Sequence, residues 1–386
     1  MRIPNYKDGS IVNLMSSIQQ GRGGAAGLYS ELSDLPAEAI AGAKNVVLLV
    51  IDGLGYDYLT KQGAGSQLHQ YLHCGMDAVV PPTTAASITT FLTGVAPQQH
   101  GLTGWFTWLR EVGGVVTVLP FAMRGNRGDL GLTGVTPQQL FKHSSLFDQL
   151  NVRSYSLMPD WLSESAFNQS LLGKAELVLH RGVNDYYGKI AEVVLRDKQA
   201  KYLYAYWPQF DSLAHQYGVA SRQLAAHFDK LDKGFAQLQQ QLAGSDTLLL
   251  LTADHGFIDT CKESRLLINN YPEIMDCLQI PLCGEPRLVY CYVRHTHRER
   301  FISLVEQQLG HAVILHSGDE LIAQGLYGLG EAHPELSSRV GEFVLEMKDN
   351  YILTQRLPGE PEFFMIGQHG GLSEAEMRVP LVMAYC

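Results

Sequence analysis

Three aspartates and three histidines in this chain are of the right types to converge on metal ions: Asp52, Asp211, His215, Asp254, His255 and His369. Oxygen and nitrogen donors without sulfur suit Zn2+ and, less specifically, Mn2+ or Fe2+. Each piece alone has a plainer reading. Asp52-Gly53 is a turn pair. Asp211 and His215 stand at i and i+4, so they share one face if the stretch is helical, as many surface pairs do. His369, between polar and glycine residues, reads as a solvated loop histidine. Asp254 carries more weight, because a carboxylate that ends a leucine-rich run is costly to half-bury without a partner. Together the six are hard to explain as independent accidents.

A hydrolase built on such ions also needs a nucleophile. The prolines of Pro81-Pro82-Thr83-Thr84-Ala85-Ala86-Ser87 end an extended segment, and the small residues that follow open a helix. A hydroxyl at a helix N-terminus meets partial positive charge that favours its alkoxide. Metal coordination would lower its pKa further and make it a nucleophile near neutral pH. Local sequence by itself favours the simpler role, with Thr83 or Thr84 as an N-cap.

The elements that must position these groups follow from hydrophobic patterning. Nearly continuous apolar runs over Asn45–Asp52, Tyr202–Trp207, Thr247–Asp254 and Pro380–Tyr385 predict parallel strands covered on both faces. Leu224, Phe228, Leu231, Phe235, Leu238 and Leu242 mark one stripe of a helix from about Ser221 to Leu242, with Gly244 as its stop. Strands alternating with helices predict a doubly wound α/β sheet, and in such sheets ligands gather at the carboxyl ends of the strands. Asp52, Asp211, Asp254 and His255 all follow strand ends. Residues about 105–170, rich in Gly, Thr and aromatics, read as an elaborated surface over the sheet. Arg287–Val293 and Ala312–Leu315 read as strands, and Glu299–Leu309 as a helix, of a small α/β insertion. The division expected is therefore a catalytic domain of residues 1–262 and 363–386, with a cap insertion over 263–362. His295 and His297 read as solvated, and His100 as an organiser of its own loop.

Composition narrows the functional class. The 386 residues are 46% hydrophobic and 18% charged, as in a compact enzyme rather than a disordered chain. A net charge of −10 repels polyanions, so a nucleic-acid polymer is not an expected partner. A small anionic substrate is still compatible, because bound cations reverse the local field. Six cysteines without a CxxC pair do not form a disulfide framework. The N-terminus lacks an apolar h-region, and no apolar run is long enough to span a bilayer. The expectation is a cytoplasmic protein without membrane association; nothing in the sequence sets its oligomeric state.

An ordered set of motifs carries a resemblance. Val50-Ile51-Asp52-Gly53, Pro81-Pro82-Thr83-Thr84 with Thr93-Gly94, Pro97-Gln98-Gln99-His100-Gly101, Asp211-x3-His215-x2-Gly218, Thr252-Ala253-Asp254-His255-Gly256 and His369-Gly370-Gly371 occur in this order. The set resembles the type I phosphodiesterase/nucleotide pyrophosphatase branch of the alkaline-phosphatase superfamily, over residues 46–383. The resemblance implies an alkaline-phosphatase-like, mostly parallel sheet with a smaller α/β cap. It implies two divalent metal ions, most simply Zn2+. One would be held by Asp211, His215 and His369, the other by Asp52, Asp254 and His255 with Thr84 bound to it. Thr84 would be the catalytic nucleophile and would pass through a phospho-threonine intermediate on a small phosphorylated substrate, with net retention at phosphorus.

Two positions depart from the family pattern. Trp105 stands where an Asn often donates to the phosphoryl group, which leaves Arg124, Asn126 or Arg127 as substitute donors. Ala85 stands where nucleotide pyrophosphatases tend to carry a base-clamping Phe. Phosphodiester hydrolysis is thus the favoured expectation. A phosphonoacetate-hydrolase-like cleavage of a carbon–phosphorus bond and a phosphomonoesterase are the alternatives. A non-catalytic metal-binding regulatory protein is the reading from another class, though no ligand or nucleophile position has been lost.

Overall fold

The computed structural model describes residues 2–125, 128–361 and 364–386. Asn126, Arg127 and the 362/363 domain boundary lie outside the described residues. At the centre is a seven-stranded sheet in the order Leu72–Asp77, Arg378–Tyr385, Thr247–Thr252, Asn45–Ile51, Lys201–Trp207, Arg153–Pro159, Glu176–His180. Asn45–Ile51 pairs in parallel with both Lys201–Trp207 and Thr247–Thr252. Arg153–Pro159 and Glu176–His180 extend the parallel set, while Arg378–Tyr385 runs antiparallel between its neighbours.

Why these segments became strands is visible in their burial. Every residue of Asn45–Ile51 and of Thr247–Thr252 is buried, as expected for strands covered by helices on both faces. The helix Arg222–Gln241 buries Leu224, Phe228, Leu231, Phe235 and Leu238, and the hydroxyl of its N-cap Ser221 accepts from the Leu224 N–H. Gly244 follows it at φ 78°, a left-handed turn that favours glycine.

The segment 105–170 differs from its expectation. It does not merely cover the sheet, since Arg153–Pro159 lies within the central sheet. Ser154 and Ser156 break its apolar run, yet both are buried, so tertiary packing overrides the weak local pattern.

A second, antiparallel sheet also has seven strands, ordered Val313–Ser317, Phe343–Met347, Leu288–Cys291, Cys283–Glu285, Phe106–Leu109, Gly114–Thr117, Ala122–Met123. Three of them come from residues 106–123 and four from 283–347, so two distant chain segments share one layer. The helix Arg298–Leu309 packs on it through Phe301, Val305 and Leu309.

A fully buried ion pair fastens this layer to the turn of helix that leads into Arg378–Tyr385 of the central sheet. Arg287 donates through Nε and Nη2 to the Glu376 carboxylate at 3.0 and 2.9 Å, and through Nη1 to the Tyr351 carbonyl at 2.6 Å. Glu376 also accepts from the Gly371 N–H at 2.8 Å and the Ser373 hydroxyl at 2.6 Å, while its own carbonyl accepts from the Gly256 N–H at 2.8 Å. One residue thereby braces the loops of both His255 and His369. Removing one partner of such a pair strands a buried charge. Arg287→Met is therefore expected to lower the denaturant-derived stability by about 3–5 kcal/mol; a change below about 1 kcal/mol would contradict this bracing.

Candidate metal and nucleophile site

The carboxyl ends of the central strands meet at one buried cluster. Asp52 directly follows Asn45–Ile51, and Asp254 and His255 follow Thr247–Thr252. Asp211 and His215 sit on the helix Gln209–Tyr217 that succeeds Lys201–Trp207, and His369 follows the short strand Gly367–Gln368. Two glycines permit the approach. Gly53 adopts φ 76°, and a Cβ there would run into the Phe257 ring. A Cβ on Gly256 would collide with the Ala375 carbonyl.

The donor atoms face one another. His255 Nε2 lies 3.3 Å from Asp52 Oδ1, 3.5 Å from Asp254 Oδ2 and 4.0 Å from Asp211 Oδ1. Asp211 Oδ1 is in turn 3.2 Å from His215 Nε2 and 3.8 Å from His369 Nε2. Two donor sets have all their atoms within 4.8 Å of one another: Asp52, Asp254 and His255, and Asp211, His255 and His369. His255 thus stands between both sets, its ring stacked on His369 at 3.7 Å, and His215 joins the second through Asp211.

Each imidazole is oriented by its far nitrogen. Nδ1 of His215 lies 2.8 Å from the Gly367 carbonyl, Nδ1 of His255 3.1 Å from that of Gly256, and Nδ1 of His369 3.2 Å from that of Pro82. A carbonyl only accepts, so Nδ1 donates in all three, and in the neutral ring Nε2 keeps its lone pair toward the cluster. Asp254 Oδ1 accepts the N–H groups of Gly53 and His255, and Asp52 Oδ2 accepts from the Tyr206 hydroxyl.

The remaining carboxylate oxygens test whether the site fits cations. Asp52 Oδ1 and Asp254 Oδ2 are buried and have no hydrogen-bond partner, while Asp211 Oδ1 is paired with His215. Buried anionic oxygens without partners are expensive, and divalent cations satisfy them. Proton affinities carry the same message. Burial, and next the Asp211 charge, raise Asp52 well above the usual carboxylate range. Burial and then Asp52 do the same to Asp254. At Asp211 burial is outweighed by His215, which lowers it, and at His215 burial is outweighed by Asp211, which raises the imidazole to about 9. Burial, with His255 and His215 nearby, holds His369 well below the ordinary histidine value. The residues present fit divalent cations.

Thr84 is the first residue of the helix Thr84–Thr93, and the N-cap position falls on Thr83, whose hydroxyl makes no cap bond. The capping role open in the sequence is therefore filled by neither threonine side chain. Thr84 Oγ1 points instead into the cluster, 3.4 Å from His255 Nε2. Ser87, one turn on, donates its hydroxyl to the Asp254 carbonyl at 2.8 Å, tying the helix to the strand end.

Two contributors were not legible as site residues. Tyr206 lies in an apolar strand of the central sheet, while Glu285 ends the short strand Cys283–Glu285 of the second. Glu285 is 5% exposed, accepts the Trp105 N–H at 2.6 Å and lines the chamber in front of Thr84. Burial pushes its carboxyl up to about 7, against the pull of Thr83 and the Trp105 N–H. A folded-state pKa above the unfolded value costs stability as pH rises, beginning near 4.5 and complete above about 7. Glu285→Gln is therefore expected to be more stable than the parent at pH 8 by up to about 3 kcal/mol, with little difference below pH 4.5. Urea titrations at both pH values check this.

Of the substitute donors considered for Trp105, Arg124 is engaged elsewhere. Its guanidinium bonds the Leu282 and Gln355 carbonyls and Glu360, and lies 4.0 Å over the Phe106 ring. His100 is buried, and its Nδ1 accepts from the Leu102 N–H at 3.1 Å. His295 is exposed, and His297 is partly so.

An α/β sheet with acids, imidazoles and a helix-opening threonine at its carboxyl edge defines a hydrolase scaffold of the alkaline-phosphatase type. The type I phosphodiesterase / nucleotide pyrophosphatase family matches residues 46–372, and the chain belongs to that family. The solved structure of murine ectonucleotide pyrophosphatase / phosphodiesterase 5 is similar over 87% of both chains, with TM-score 0.65 and 15% identity. An inactive form of that protein was solved in complex with AMP, with TM-score 0.65 and 14% identity over the same shares. Phosphonoacetate hydrolase from Sinorhizobium meliloti, in complex with phosphonoformate, is similar over 89% of this chain and 90% of its own, with TM-score 0.64 and 15% identity. No curated protein matches the chain in sequence. No helix among the described residues is long and apolar enough to cross a membrane.

Proposed function

We propose that the chain is a two-metal phosphodiester hydrolase acting through Thr84. The observation that carries this reading is the pair of buried, unpartnered oxygens on Asp52 and Asp254 beside the Thr84 hydroxyl, with Asp211 and the imidazoles of His215, His255 and His369 facing them. In this reading Asp52, Asp254 and His255, with Thr84, hold one ion, and Asp211, His215 and His369 hold the other. Divalent cations bound there, most simply Zn2+, supply Lewis-acid stabilisation to the attacking and leaving oxygens.

The chain's own residues do the rest. Thr84 Oγ1, its proton released to solvent, attacks phosphorus in line. The Oγ–P bond forms as the bond from phosphorus to the first alcohol breaks, and that alkoxide takes a proton from water. The positive end of the Thr84–Thr93 helix favours the anionic oxygens gathered at its first turn. Water then cleaves the phospho-threonine from the opposite side, regenerating Thr84 and releasing a phosphomonoester. Two inversions give retention, which a chiral thiophosphate diester would report.

Tyr206 orients Asp52 through its hydroxyl, and partners of this kind tune metal affinity. Tyr206→Phe is expected to weaken Zn2+ binding by about 10- to 100-fold, measured by chelator competition, while leaving the fold intact. Unchanged affinity would show that this hydrogen bond is dispensable. All six cysteines are free thiols, which supports a reducing, cytoplasmic setting. Small phosphorylated molecules are the substrates this reading requires. Carbon–phosphorus cleavage is the second reading, favoured by the similarity to phosphonoacetate hydrolase over 89% of this chain.

A further inference from the structure

Beyond the three aspartates, one further acid lines the space before the nucleophile. A chamber of about 580 Å3 has Thr83, Thr84, His215, His369 and Glu285 in its walls. Glu285 belongs to neither donor set of the cluster, so its charge is additional to theirs. It ends the strand Cys283–Glu285 and comes from the second sheet, not from the strand ends that carry the ligands.

Glu285 is fixed against three pieces of the site. Its Oε1 accepts the Trp105 N–H at 2.6 Å. Its Cβ and Cγ press on Gly370, where an added Cβ would lie 2.6 and 2.7 Å from them, so the residue after His369 must be small. The Thr83 hydroxyl, one residue before the nucleophile, interacts with its carboxyl. Gly104 permits the approach of the Trp105 loop, since a Cβ there would lie 2.8 Å from Gly284 Cα. A glutamine would accept the Trp105 N–H equally well and would avoid the cost of burying a charge. A carboxylate held in a catalytic chamber against that cost marks a functional position.

A phosphodiester carries a single negative charge at phosphorus, and an ionised monoester carries a second. We propose that Glu285 discriminates between them: its carboxylate repels the second charge and makes the Thr84 site selective for monoanionic diesters. Cations attract both classes, but the neighbouring anion acts more strongly against the dianion, because repulsion scales with the product of the charges. Repulsion directed at the wrong ligand is a general source of selectivity. The proposal rests on the diesterase reading and names the residue that enforces it.

Methyl 4-nitrophenyl phosphate and 4-nitrophenyl phosphate share a leaving group and differ by a methyl group and a charge. Their kcat/KM values on the Zn2+-loaded protein are compared at about pH 8.5, above the value of about 7 to which burial pushes the Glu285 carboxyl. Glu285→Gln is expected to lower the diester-to-monoester ratio by about tenfold, mainly through a gain on the monoester. Glu285→Asp, which keeps the charge, should restore most of the ratio. Metal content and thermal melting check each variant, and Glu285→Ser removes the same charge with less volume should the amide not fold. A merely structural role would slow both esters alike. An unchanged ratio in a folded, metal-loaded variant without the charge, alongside Thr84-dependent hydrolysis of the diester, would overturn the proposal and leave the diesterase reading standing. An equal fall in Glu285→Asp would overturn charge as the cause. No Thr84-dependent hydrolysis of the diester by the wild-type protein would overturn the reading, and the proposal with it.

Discussion

Thr84→Ala is expected to lose at least about 10,000-fold in kcat while still binding its metal ions, because removing a nucleophile removes the covalent route itself. Thr84 opens its helix without serving as a cap, and its hydroxyl faces the cluster 3.4 Å from His255 Nε2. The substitution deletes one hydroxyl and one methyl at a half-buried position, so folding should be preserved. Metal content is the control that gives the experiment its force. Lost turnover with full metal content fits a nucleophile. Lost turnover with lost metal would make Thr84 mainly a ligand, and undiminished turnover would sink the assignment.

Chelation has the second largest expected effect. Stripping the ions should abolish turnover and also destabilise the protein, since a ligand bound only by the folded state stabilises it by about 4 kcal/mol at a thousand times its Kd. The loss should grow with pH. In the stripped protein Asp52 and Asp254 bind protons more tightly than in the unfolded chain, so folding stability falls as pH rises above their usual value of 3.8. His215, raised to about 9, adds stability that is complete below about 6.5 and lost as pH passes 9. Asp211 and His369 are lowered and work in the opposite sense, against the two raised aspartates and His215. The stabilisation from each is lost as pH falls, below the carboxylate range for Asp211 and below about 6.5 for His369. Thermal melts of stripped and Zn2+-loaded protein at pH 5 and 8 should therefore separate more widely at pH 8. Equal separation at both values would contradict this balance of charges.

How much of this was legible depended on whether a residue's neighbours were close in sequence. Asn45–Ile51 and Thr247–Thr252 could be read because strands buried on both faces are apolar throughout. Arg153–Pro159 could not, since its serines are buried by packing that no local pattern announces. The second sheet was only partly readable. Leu288–Cys291 and Val313–Ser317 stood out, but Cys283–Glu285 and Phe343–Met347 did not, and the continuation into Phe106–Leu109 is a pairing between residues far apart in the chain.

The site shows the same division. Six ligand-type residues and Thr84 could be named because strand ends and short motifs mark them, and the structure brings all seven to one cluster. The sharing of His255 between two donor sets is a matter of distance, which sequence does not encode. Tyr206 and Glu285 were hidden for opposite reasons. Tyr206 resembles core because it lies in a strand, whereas Glu285 resembles surface because charge and proline surround it. A tyrosine one residue before the end of a site-bearing strand is the signal that could have found Tyr206.

The central claim is tested most directly by comparing bis-p-nitrophenyl phosphate with p-nitrophenyl phosphate on the Zn2+-loaded protein, with Thr84→Ala as the control. A strong preference for the diester that disappears with Thr84 is the result this account predicts. Preference for the monoester, or diester hydrolysis that persists without Thr84, would contradict it.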